Sequence, residues 1–168
     1  GFNYDNNKKN KFLSLSKSFQ KSNFFKLKIA IDIRKKTREN FKKKYSSVNV
    51  FEGISSLKKE HIDLIVISTP TVEHFKTVNQ ILRYSKKPNL IIEKPVSNKL
   101  EEFKKVFKIL KLKKINTFLN YQRQSNPIFL KLKENLKKKE KKKILVKYSK
   151  GIYNNASHYL TYLLSVYG

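Results

Sequence analysis

Short apolar runs alternate along the chain with stretches whose apolar positions fall three or four residues apart. Three runs are continuous and rich in β-branched residues: Ile62–Ser68 (IDLIVIS), Asn89–Ile92 (NLII) and Ile115–Leu119 (INTFL). Runs of this kind predict strands buried on both faces of a parallel sheet. A fourth, Leu27–Ile33 (LKIAIDI), alternates more, and a shorter strand is expected at Val48–Phe51. Helical stripes follow the strands. Arg34–Tyr45 carries Phe41 and Tyr45. Val72–Tyr84 carries Val72, Phe75, Val78, Ile81 and Leu82. Asn98–Leu112 carries Leu100, Phe103, Val106, Phe107 and Leu110. Such spacing predicts core-facing helices, and a short helix fits near Ile54–Glu60. Strand followed by helix at this pitch gives right-handed crossovers and an α/β fold, a parallel sheet with helices on both faces.

The pattern breaks at the lysine block 137–143 (KKKEKKK), expected as a loop between helix and strand. Beyond it, Ile144–Tyr148 (ILVKY) reads as a strand. Ala156–Tyr167 reads as a helix with Tyr159, Leu160, Leu163, Leu164 and Tyr167 apolar. We therefore expect a first domain over 1–122 and the beginning of a second over 123–168.

Composition changes this picture little. The chain has 168 residues and a formal charge of +27, from 39 basic and 12 acidic side chains. Such a charge suggests a polyanion partner. Yet the only arginines are Arg34, Arg38, Arg83 and Arg123, whereas recognition of bases and phosphates favours the planar arginine fork. The lysines are scattered along helices and read as a solvated surface. A basic nucleic-acid-binding module stands as the rival reading, and no specific nucleic-acid partner is expected. There is no cysteine, hence no disulfide framework and no thiolate chemistry. No apolar run approaches the ~20 residues of a membrane span, and no leader opens the chain. The expected location is cytoplasmic.

In an open α/β sheet, ligands bind outside the carboxyl ends of the strands. Asp32 ends its strand just before a helix. It can accept hydrogen bonds from the ribose hydroxyls of a dinucleotide, or cap the helix. Arg34 beside it can face a 2′-phosphate, so NAD and NADP both stay open. Ser68, Thr69 and Pro70 follow the most apolar strand. Thr71 is expected to cap the next helix, with His74 three residues in, and this end either lines a cofactor or is capping and surface. Lys94 stands between Glu93 and Pro95 directly after a buried strand, unlike the surface lysines. Partial burial there would bring its amine toward the range useful for proton transfer; the plain alternative is one more surface lysine. His158 near the start of the last helix is a candidate acid–base group or a structural histidine. Asn120, Tyr121 and Arg123 close the last strand of the first domain.

Taken together, these segments resemble the Gfo/Idh/MocA family of NAD(P)-dependent sugar and polyol dehydrogenases. The carrying residues run from Ile65 to His74 (IVISTPTVEH), then Glu93-Lys94-Pro95, Asn120-Tyr121-Gln122-Arg123, and Tyr148 to Gly151 through His158. Gly1 to Asp5 looks like the tail of a phosphate loop. The resemblance implies an N-terminal Rossmann domain and a C-terminal α/β substrate domain. It implies that Asp32 contacts the adenosine ribose, that Ser68, Thr69, Pro70 and His74 line the cofactor, and that Glu93 neighbours the nicotinamide. Lys94 would be the catalytic lysine and His158 its acid–base partner. Asn120 would belong to the cofactor site. Tyr121, Arg123 and Asn154 would face the substrate, a small sugar or polyol. No metal is implied.

Two positions depart from the family pattern. Many members carry Asp four residues before the histidine and again three after it; here those places hold Asn154 and Thr161. An amide takes no proton, so Lys94 and His158 must carry that work, or the substrate differs; the rival is a catalytically inactive relative that binds a cofactor or partner. The resemblance also implies a middle fragment of a longer enzyme, lacking the first strand with its Gly-rich loop and most of the C-terminal domain, and inactive as it stands. The intact protein is expected to be a homo-oligomer.

Overall fold

A computed structural model describes residues 15–121, 124, 126–137, 143–149 and 151–167. Contacts divide it into two units. The first holds the described residues up to Leu64 together with Lys76–Pro88; the second holds Ile65–Phe75 and the residues from Asn89 onward.

In chain order the elements are α1 (Leu15–Gln20), β1 (Ile29–Ile31), α2 (Lys35–Lys44), β2 (Asn49–Phe51), a 3₁₀ helix (Ile54–Lys59), β3 (Leu64–Ile67) and α3 (Thr71–Tyr84). Then come β4 (Asn89–Glu93), α4 (Leu100–Leu112), β5 (Thr117–Asn120), α5 (Pro127–Lys137), a π-helical turn (Ile152–Ala156) and α6 (Ser157–Tyr167). The expected alternation of strand and helix is present, with α1 and α5 added.

In the first unit β1 and β2 pair in parallel, Ile29 opposite Asn49 and Ile31 opposite Phe51. Their small core is Phe41, Tyr45 and Val48, with Leu27, Ala30 and Val50 packed against it. Phe41 and Tyr45 lie one helical turn apart, and their rings meet at 4.7 Å. This is the pair whose spacing predicted α2.

The second unit carries the sheet β3-β4-β5. β4 and β5 are parallel, Leu90 opposite Thr117 and Glu93 opposite Asn120. Leu90 and Ile92 are fully shielded, as are Ile67, Val106 and Leu110 nearly so. Each such side chain contributes roughly 1.5–3 kcal/mol through burial.

Three expectations need correction. β4 is fully buried on one face only, since Ile91 is half-buried; among the described residues β5 is an edge strand, and its Phe118 is exposed. The helix stripes are narrower than the apolar pattern. Val72, Leu100, Phe103 and Phe107 are exposed, whereas the polar His74 and Thr77 are buried. Hydrophobicity alone does not mark the inner face when polar groups find partners there. Last, residues 143–148 form no strand. No described strand pairs with them, Leu145 is exposed, and an apolar run without a ladder partner leaves its backbone to water.

Gly151 opens the approach to α6 with φ of 76°, a region that glycine enters without steric cost. Among the described residues, no helix is long and apolar enough to cross a membrane.

Candidate cofactor and acid–base residues

The first unit supplies Asp32. Its N–H continues the ladder to Phe51 O at 3.2 Å, so the residue sits at the carboxyl end of β1. The helix cap position falls to Arg34 rather than Asp32, and Arg34 makes no side-chain cap. The carboxylate turns back on Arg34 instead. Oδ1 accepts the Arg34 backbone N–H at 2.8 Å and Nε at 3.1 Å, and Oδ2 accepts Nη2 at 3.0 Å. Burial raises the Asp32 pKa, but the hydrogen bonds from Arg34 and the charges of Arg34 and Arg38 outweigh it. The carboxyl is held below its ordinary range. A carboxylate offers about four acceptor sites, so roughly one stays open to a ligand hydroxyl. An acceptor at this strand end fits an adenosine ribose.

Arg38 was not singled out from sequence, although scarcity of arginine was a signal. Its Nη1 donates to the carbonyls of Asp32 (3.0 Å) and Ile33 (2.8 Å), and Nη2 to Glu52 Oε2 (2.8 Å). One guanidinium thus fixes the backbone that carries Asp32.

The second unit gathers most of the other candidates. Ser68, Thr69 and Pro70 are exposed at the carboxyl end of β3. α3 begins at Thr71 itself rather than after it, with the Pro70 carbonyl accepting the Glu73 N–H at 2.8 Å. His74 is 1% exposed. Its Nε2 lies 2.9 Å from Thr69 O, and its Nδ1 lies 3.1 and 3.2 Å from the carbonyls of Pro95 and Val96.

At the end of β4, Glu93 stands opposite Asn120 in the register, and Asn120 Nδ2 donates to Glu93 Oε1 at 2.6 Å. Lys94 follows, half-buried, and joins Pro95 through a cis peptide bond. Every other described lysine of known exposure is exposed, save Lys17 and Lys133. Tyr121 meets His158 edge-on, with ring centroids 5.6 Å apart. His158 is the second residue of α6, and its Nδ1 is shielded from solvent. Thr161, at the place of a family carboxylate, donates its hydroxyl to Ser157 O at 2.7 Å. Arg123 and the Asn154 side chain lie outside the described residues. Among the described residues, no group of three or more His, Asp or Glu side chains is placed to hold a metal.

The geometry therefore joins Glu93 to Asn120, Tyr121 to His158, and His74 to two strand-end segments. The local Asp32–Arg34 pair belongs to the other unit.

Residues 9–121 match the profile of the GFO_IDH_MocA oxidoreductase family, described as having an NAD-binding Rossmann fold. A Bacteroides fragilis protein assigned as an oxidoreductase superposes with a TM-score of 0.69 at 20% identity, covering 89% of this chain and 46% of its own. The scyllo-inositol dehydrogenase of Lactobacillus casei, solved with NAD(H) and scyllo-inositol, gives 0.61 at 19%, covering 68% and 34%. A variant of a 3-ketoreductase from Actinomadura kijaniata, in complex with TDP-benzene and NADP, gives 0.62 at 15%, covering 71% and 36%. These likenesses show the fold, and the chain spans less than half the length of each. No curated protein matches. The chain belongs to the Gfo/Idh/MocA oxidoreductase family, whose domain over these residues is an NAD-binding Rossmann fold.

Proposed function

Proceeding from that membership, we propose that the intact protein moves a hydride between a nicotinamide cofactor, NAD or NADP, and a hydroxyl of a sugar, polyol or nucleotide-linked sugar. The bound cofactor supplies the hydride chemistry at C4 of its nicotinamide ring. The chain's own residues do the rest. Asp32 accepts the adenosine ribose hydroxyls, with Arg34 yielding part of the carboxylate. Ser68, Thr69 and Pro70 offer an exposed polar turn to the cofactor. Asn120 orients Glu93 beside the place of proton transfer. Lys94 holds the reacting oxygen and takes or returns its proton, with His158 as acid–base partner and Tyr121 packed on its ring. Tyr121, Arg123 and Asn154 face the substrate. The intact protein works as a homo-oligomer in the cytoplasm.

The observation that supports this best is the seating of Lys94, a half-buried residue at the carboxyl end of a strand whose Leu90 and Ile92 are fully shielded. A positioned acid–base group is worth roughly 10²–10⁴-fold in rate. Lys94→Ala in the intact enzyme is expected to lower kcat by about that factor and leave the cofactor Kd unchanged. A weakened cofactor Kd with an unchanged kcat at saturating cofactor would reverse the assignment.

A second reading, a cofactor-binding relative without turnover, is favoured by Thr161. Its hydroxyl is spent on its own helix where many members have a carboxylate. Stopped-flow measurement of hydride transfer in the intact enzyme separates the two.

A further inference from the structure

His74 has no exposed edge to offer a ligand: it is 1% exposed, and both ring nitrogens face backbone carbonyls. The carbonyls belong to two different strand ends. Thr69 lies just past β3, and Pro95 and Val96 lie just past β4, 21 and 22 residues from the histidine. Pro95 is bonded to Lys94. Three acceptors surround two nitrogens, so only ring N–H groups satisfy them; a ring with one N–H serves one side at a time, and a ring with two serves both. A buried polar ring without such partners would cost its full desolvation.

We propose that His74 is a positioning residue: it brackets the Thr69 turn to the Pro95–Val96 segment and so sets where the Lys94 amine lies. It touches neither cofactor nor substrate. The proposal rests on the reading of Lys94 as the proton-relay residue for its functional meaning, but not for its geometry.

Two substitutions split the bracket. Asparagine places an amide nitrogen near the position of Nδ1, and glutamine places one near Nε2. His74→Asn should keep the link to Pro95 and Val96 and release Thr69. His74→Gln should keep Thr69 and release Pro95 and Val96. The readout is amide hydrogen exchange of the 168-residue chain by mass spectrometry, with the rate of reductive methylation at Lys94 measured against Lys99. H74N is expected to speed exchange about tenfold over residues 69–72 and leave Lys94 methylation unchanged. H74Q is expected to speed exchange about tenfold over residues 94–97 and raise Lys94 methylation about threefold. Identical behaviour of the two variants would mean that the ring only fills space and would overturn the proposal. So would an unchanged Lys94 rate in H74Q despite faster exchange over 94–97. If the variants do not fold, the wild-type chain decides. Exchange-protected His74 ring N–H signals with cross-peaks to residues 69 and 95–96 support the bracket, and a rapidly exchanging ring overturns it. Turnover retained by Lys94→Ala in the intact enzyme would leave this pattern in place and sink only the acid–base assignment.

Discussion

The ends of β1 and β4 place a charged side chain at the same point of a parallel strand, yet they are built in opposite ways. The Asp32 carboxylate is fixed locally. Its partner Arg34 is two residues on, and that guanidinium is largely exposed. The end of β4 is fixed from afar: Glu93 by Asn120, 27 residues later, and the Pro95–Val96 segment by His74. β1 rests on three half-buried residues, whereas β4 rests on Leu90 and Ile92, which are fully shielded. A locally closed pair can open for a ligand at small cost. A strand end held by distant groups keeps its geometry or loses it together with the fold.

The difference can be broken experimentally. The largest effect expected is on rate. Lys94→Ala should cost ~2.7–5.4 kcal/mol of transition-state stabilisation in the intact enzyme. Asp32→Ala should raise the cofactor KM and leave kcat nearly unchanged. Steady-state kinetics with varied cofactor tests both, and a kcat loss in the Asp32 variant equal to that of Lys94 would erase the distinction. Next comes the core under β4. Leu90→Ala should destabilise by about 2–5 kcal/mol, measured by urea unfolding, because the cavity cannot collapse between two paired strands. A loss no greater than that of Ile31→Ala would show that β4 is not the firmer strand. Arg38→Ala is third. Removing donors from two carbonyls and Glu52 should cost roughly 1–2 kcal/mol, read by the same unfolding experiment.

The smallest effect is the pH dependence of Asp32. Its folded pKa lies below the ordinary value. The pair therefore stabilises the fold above the unfolded pKa, at about pH 4, and that contribution fades as pH falls through the lowered folded value. Arg34 is mostly exposed, so solvent screening keeps the contribution small. Unfolding midpoints between pH 3 and 6 should fall more steeply in the wild type than in Asp32→Asn. Parallel curves would show that the pair contributes nothing.

This contrast also explains what the sequence could reveal. Strand and helix alternate because β-branched runs and helical spacing are local properties, and they were legible. So was the position of Lys94, since it needs only a buried run and a following proline. The work of His74 was not legible, because its carbonyl partners lie on another strand end and carbonyls have no residue identity. Val72 and Leu100 misled for the converse reason: an apolar side chain in the first turn of a helix can face water, and spacing alone does not mark it. Ile144–Tyr148 has the composition of a strand but no described ladder partner. The pairing of Tyr121 with His158 spans 37 positions and a π-helical turn, which no local periodicity encodes.

Gly151 carries a different lesson. A Cβ added there would meet no atom within 4 Å, so size is irrelevant at this position and only torsion matters. Alanine and asparagine should be tolerated no better than a bulky residue, because φ of 76° with ψ of 168° is a region that essentially only glycine enters. Saturation mutagenesis would register a site blind to volume and sensitive to chirality, at the start of the π-helical turn that leads into α6.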